Sequence, residues 1–124
     1  MDFSAVPITV RATRNRDALM LHISLDAEKL SLNQGGGRWQ GKLEIQDHFE
    51  DGTGESIGLT TSNVIELKML PRTYDAALRD GLPFRITLQI PPGATALKLL
   101  VEDIRSSKIG TLSIRLKEVP GDLR

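Results

Sequence analysis

Along most of the chain, apolar and polar residues alternate with a period of two. Val6, Ile8 and Val10 alternate with Pro7, Thr9 and Arg11, and Leu19, Leu21, Ile23 and Leu25 alternate with Met20, His22 and Ser24. Phe84, Ile86, Leu88 and Ile90 alternate with Arg85, Thr87 and Gln89, and Leu112, Ile114 and Leu116 with Ser113 and Arg115. Successive side chains of a strand point to opposite faces, so each run is a strand with one buried and one wet face. Such alternation belongs to antiparallel sheets, because buried parallel strands read as continuous apolar runs. Three further strands are less regular. Trp39 to Phe49 aligns Trp39, Leu43, Ile45 and Phe49; Val64 to Leu70 aligns Ile65, Leu67 and Met69; Leu97 to Ile104 aligns Leu97, Leu99 and Val101, with Leu100 adding apolar surface behind. Leu30-Ser31-Leu32 and Ile57-Gly58-Leu59 are short candidate edge strands.

Turn chemistry separates these runs. Arg14-Asn15-Arg16-Asp17 reads as a hairpin, Asn33-Gln34-Gly35-Gly36-Gly37 as a flexible turn, and Asp51-Gly52-Thr53-Gly54, Pro91-Pro92-Gly93 and Arg105-Ser106-Ser107-Lys108 as further turns. One stretch changes period. Tyr74, Ala77 and Leu78 fall at i, i+3 and i+4 between Pro71 and Gly81, which predicts a short amphipathic helix. Proline suits a first helical turn and glycine suits the position just past the last. Tyr74 and Leu78 are expected to pack onto the open end of the fold. The sum of these elements is an all-β domain of about seven to nine strands. The expected fold is an immunoglobulin/fibronectin-like antiparallel β-sandwich with one short crossover helix between its sheets.

Composition narrows the function without naming it. At 124 residues the chain is expected to be one β-sandwich domain over residues 1–124, excised from a larger protein, with a core large enough to fold unaided. It contains no cysteine, which excludes thiol catalysis, disulfide frameworks and Cys₄ zinc sites. Sixteen Lys and Arg balance sixteen Asp and Glu, and the charges are mixed along the chain. A nucleic-acid binder carries a clustered basic excess, so no nucleic-acid partner is expected. No apolar run reaches membrane-spanning length, so no membrane insertion is expected, and Met1-Asp2-Phe3-Ser4 is acidic with no signal-peptide core. Near-neutrality also gives little electrostatic protection against self-association.

The second half of the chain carries a set of motifs. Pro71-x-x-Tyr74-x-x-x-Leu78-Arg79-Asp80-Gly81-Leu82-Pro83-Phe84 leads, Pro91-Pro92-Gly93-Ala94 follows, then Val101-x-Asp103-x-x-Ser106 and Lys108-Ile109-Gly110-Thr111-Leu112. This pattern resembles the C-terminal β-domain of von Willebrand factor A-related proteins abundant in Acidobacteria. The resemblance implies an accessory β-domain of exported or cell-envelope proteins and implies no reaction. The Asp-x-Ser-x-Ser metal-dependent adhesion motif of the accompanying von Willebrand A domain has no counterpart here, so no metal ligand carries over.

Each candidate chemical site has a structural explanation. His22 lies on the polar face of its strand. Asp47 and His48 are adjacent on a strand and therefore face opposite ways, so they cannot chelate together without a bulge. Asp47, Glu50, Asp51 and Glu55 could suggest a weak calcium site, but their spacing does not match an EF-hand and turns favour Asp and Gly for backbone reasons. Gly35-Gly36-Gly37-Arg38 precedes a strand, whereas a phosphate loop opens a helix with Lys and Ser or Thr. Trp39 is expected to pack across the core, with a binding surface formed by Arg38 and Trp39 as the alternative. Glu44, Glu66 and Glu102 lie on wet strand faces, and no Gly-x-Ser-x-Gly elbow occurs. Aromatic residues make up 4% of the chain, too few to favour a sugar-stacking surface. The sequence therefore points to a non-catalytic interaction or scaffold module of a larger exported protein. Its expected partner is another protein or a neighbouring domain of the parent chain, with self-association through an edge such as Ile57-Gly58-Leu59, no catalytic residues, no metal site and no cofactor. The alternative is a ligand-binding module for carbohydrate or calcium, and an enzyme domain is the third reading.

Overall fold

The structure, a computed structural model, describes residues 5–122. The reading of Met1 to Ser4 lies outside the described residues. Nine strands and one α-helix follow in the order β1 (Ile8–Asn15), β2 (Ala18–Leu25), β3 (Asn33–Gly35), β4 (Arg38–Glu50), β5 (Ser56–Met69), α1 (Pro71–Asp80), β6 (Leu82–Gln89), β7 (Ala96–Asp103), β8 (Lys108–Arg115) and β9 (Gly121–Asp122) among the described residues. One sheet has the order β6-β2-β1-β9. In the other, β4 lies between β5 on one side and β7 on the other, and β8 continues beyond β7. β3 pairs with the first three residues of β4. All pairings are antiparallel except one: Gly121 and Asp122 run parallel to Arg14 and Asn15 of β1. The chain is an all-β sandwich with a single α-helix among its described residues.

The period-two pattern accounts for the core. Leu19, Leu21, Ile23 and Leu25 of β2, Leu43, Ile45 and Phe49 of β4, and Leu97, Leu99 and Val101 of β7 belong to one buried cluster. Burying an aliphatic side chain of this size stabilises by about 1.5–3 kcal/mol, so these strands supply the main driving force for the fold. The odd-numbered residues of β4 and β7 point inward and the even-numbered ones outward, which fixes the face on which every polar candidate of these strands stands.

Three local expectations are corrected. Leu30-Ser31-Leu32 is not a strand. Asp26 caps a short 3₁₀ turn over Ala27–Lys29, accepting from the Glu28 N–H, and the Ser31 N–H is taken by Asp103 Oδ2 at 2.5 Å instead of by a ladder. Asn33 to Gly35 forms strand β3 rather than loop, and the turn shrinks to Gly36-Gly37, both at positive φ, as two-residue hairpins favour. Ile57-Gly58-Leu59 and the Val64–Leu70 run as far as Met69 are parts of one 14-residue strand, β5.

The helix forms where its punctuation places it. Pro71 opens it, and Gly81 at φ 89° closes it with its N–H bonded to the Ala77 carbonyl at 2.8 Å. It carries the chain from β5 in one sheet to β6 in the other. Its buried stripe, however, centres on Ala77, with Tyr74 half-buried, while Leu78 is 39% exposed. Leu78 therefore does not close the core as expected. Leu78→Ala should change stability by less than about 1 kcal/mol, the range of surface substitutions, rather than by the several kcal/mol of a buried leucine. Urea unfolding of the two forms checks this, and a large fall in midpoint would place Leu78 in the core after all.

Candidate interaction surface

β5 is the most exposed long strand. Among the described residues it pairs with β4 alone, so its other edge carries unpaired main-chain groups. From Gly58 to Val64 every residue is exposed, so this stretch is wet on both faces. Leu59 is 85% exposed and Val64 54%. No charged residue occurs from Ser56 to Ile65. Edge strands are commonly protected by charges, proline or bulges. β5 uses a bulge at one end. Asp47 pairs with Thr61 and Phe49 with Ile57, so His48 of β4 stands opposite three residues, Gly58, Leu59 and Thr60. Gly58 takes a positive φ of 75°, which glycine adopts readily, and the bulge throws Leu59 into solvent. Beyond it, Thr61 to Met69 stay in unbroken register with β4. Two hydroxyls anchor this stretch: Thr61 Oγ1 donates to Asp47 Oδ1 and Ser62 Oγ donates to Glu44 Oε2, both at 2.6 Å.

The acidic residues near the β4–β5 turn do not converge. Asp47 points inward and is 2% exposed, and no group among the described residues reaches its Oδ2. Glu50 points outward to His48, with Oε2 3.1 Å from Nε2. Asp51 organises the turn: its Oδ1 accepts from the Thr53 hydroxyl at 2.6 Å, the Thr53 N–H at 2.8 Å and the Glu55 N–H at 3.1 Å. The Thr53 hydroxyl, with help from these N–H groups, holds the Asp51 carboxyl below the usual carboxylate value. Among the described residues no three His, Cys, Asp or Glu side chains are grouped to hold a metal ion. Asp103, 1% exposed, is a second buried carboxylate. Its Oδ2 fastens Ser31 across 72 residues of sequence.

Of the remaining candidates, the sheet register brings only Glu44 and Glu102 side by side. Gly36-Gly37 is the β3–β4 hairpin turn, and Arg38 donates to the Lys68 carbonyl at 3.4 Å across the sheet. Trp39 packs against the margin of the core, as expected, and is not a free binding surface. It is half-buried and stacks on Tyr74 of the helix, with ring centroids 4.1 Å apart and planes 23° from parallel. Glu66 stands opposite Lys42, and Glu44 stands opposite Glu102. His22 lies on the outer face of the other sheet, between Arg11 and Arg85.

Register also assembles a row that spacing alone could not show. On the outer face of the β4–β7–β8 sheet, His48 is opposite Lys98 and Lys98 is opposite Ser113. Lys98 Nζ donates to Ser113 Oγ at 2.7 Å. A lysine activates a serine when it is desolvated and neutral. This pair instead stands on the solvent side of the sheet, beside an open hollow of about 290 Å³, where a cross-strand hydrogen bond stabilises the ladder.

The chain matches no protein-family model, no curated protein and no solved structure. No helix among the described residues is long and apolar enough to cross a membrane.

Proposed function

We propose that this domain is a non-catalytic interaction module and that it binds through the open edge of β5, which accepts an extended strand from another chain. The observation that carries this reading is the uncharged, doubly exposed stretch from Gly58 to Val64 on a strand paired on one side. Main-chain groups along such an edge supply affinity, and exposed side chains such as Leu59 and Val64 supply selectivity. A second copy of the chain is the simplest occupant. Its net charge is zero, and β5 meeting β5 would bring no like charges together between Ser56 and Ile65.

The strand order supports the finer fold reading within the same proposal. β1, β2 and β6 adjoin as A, B and E do in an immunoglobulin-like sandwich, and β5, β4, β7 and β8 adjoin as C′, C, F and G. Domains of this kind are commonly accessory modules, in keeping with a place beside another domain in a larger exported protein.

Two measurements test the reading. The first is a screen of the domain against generic esterase, phosphatase and glycosidase substrates, in which no turnover is expected. Turnover abolished by Ser113→Ala or Lys98→Ala would replace the proposal with an enzyme. The second is mass in solution across concentration, where dimers are expected to accumulate as concentration rises. Leu59→Lys with Val64→Lys places charges on the edge without touching the core and should return the protein to monomer. A concentration-dependent dimer that ignores both substitutions would move the interface away from β5.

A further inference from the structure

The outer face of the other sheet carries a row of two arginines with a histidine between them. In the antiparallel ladders Arg11 of β1 is directly opposite His22 of β2, and His22 is directly opposite Arg85 of β6. The flanking residues Leu21 and Ile23 point into the core and are buried, so all three side chains of the row stand on the solvent side, where each is exposed. Neighbouring strands are about 4.8 Å apart, so the two arginines rise roughly 10 Å from each other with the imidazole between them. The exposed positions of β1, β2 and β6 include no Asp or Glu. The ion pairs among the described residues are His48–Glu50 and Arg79–Asp80, and neither involves Arg11 or Arg85. The chain as a whole is neutral, so its balancing carboxylates have been placed elsewhere.

The row lines an open hollow of about 610 Å³, beside the hydroxyls of Thr9 and Ser24. Asp80 closes one end, where Arg79 holds it at 3.5 Å. β2 is paired on both sides, which commits its main-chain N–H groups to the ladders. Recognition here must therefore come from side chains. Two guanidinium forks with a donor between them match carboxylates, which they bind bidentately, and their spread favours two acidic groups over one compact anion.

We propose that the Arg11–His22–Arg85 face binds a carboxylate-rich segment of a protein partner. This inference rests on the reading of the domain as an interaction module, but it uses a different sheet from β5. The test therefore starts from the Leu59→Lys, Val64→Lys form, whose edge is blocked, so that loss of self-association and loss of peptide binding are read separately. Hexaglutamate is titrated into that form by calorimetry at low ionic strength, with inorganic pyrophosphate as a second probe. The peptide should bind, weaken as salt screens the contact, and lose at least about tenfold in affinity when Arg11→Gln and Arg85→Gln remove both forks. Arg11→Lys with Arg85→Lys, which keeps the charge but not the fork, should lie between. Absence of peptide binding would overturn the proposal. So would pyrophosphate binding with no hexaglutamate binding, or binding unaltered in the double glutamine variant, which would point to the charges introduced on β5 or to Arg14, Arg115 and Lys117 at the other hollow.

Discussion

Gly110→Ala should weaken the domain by about 1–3 kcal/mol, toward the upper end of the range for overpacked sites. Gly110 lies in β8 opposite Val101, in the buried layer. A Cβ built there would come 1.9 Å from the Val6 carbonyl oxygen and 3.0 Å from its carbon. The obstruction is main chain, which cannot rotate aside as a side chain can. Val6 is fully buried, and its N–H bonds the Ile109 carbonyl at 3.2 Å. An added methyl group would therefore push the segment entering β1 off the edge of β8 and open one side of the sandwich. Urea unfolding of the two forms measures the effect. An unchanged midpoint would mean that Val6 is not seated against β8.

Leu99→Ala should be costlier still, at about 2–5 kcal/mol. Leu99 is 1% exposed in the middle of β7, between Asp47 on β4 and Leu112 on β8. Strands flank it on both sides in its own sheet, so the neighbourhood can collapse little around the missing atoms and a cavity remains. Domains of this size are stable by only about 5–15 kcal/mol, so this single truncation would remove a large part of the total. The comparison with Leu78→Ala makes the test sharp. The same chemical change on the exposed helix face should leave the urea midpoint nearly where it was, and equal losses at the two positions would contradict the placement of the core.

These two positions also show what the sequence could and could not convey. Leu99 was legible, because alternation with Lys98 and Leu100 puts Leu97, Leu99 and Val101 on one face whatever the fold around them. The hairpin at Arg16-Asp17 and the helix between Pro71 and Gly81 were legible for the same reason: each is set by residues a few positions apart. Gly110 was not, because its demand comes from Val6, more than a hundred residues earlier. Leu30-Ser31-Leu32 misled because its backbone is claimed by Asp103, a distant carboxylate that local pattern does not reveal. Leu78 misled because a short amphipathic face leaves open which of its apolar residues lies deepest. The polar rows on the outer faces, His48–Lys98–Ser113 and Arg11–His22–Arg85, exist only through strand register. Their members are unremarkable in sequence, and only pairing brings them together.

The central claim is that β5 binds through its free edge, and hydrogen exchange resolved by residue tests it most directly. In an edge strand alternate amides point away from the neighbour and exchange with water, whereas the amides between them are bonded to β4. Raising the protein concentration into the range where the mass increases should protect the outward-pointing amides between Thr61 and Met69, at every second residue. The Leu59→Lys, Val64→Lys form should show no such change. Unaltered exchange along β5 while the protein associates, with new protection along β6 or β8 instead, would contradict the account.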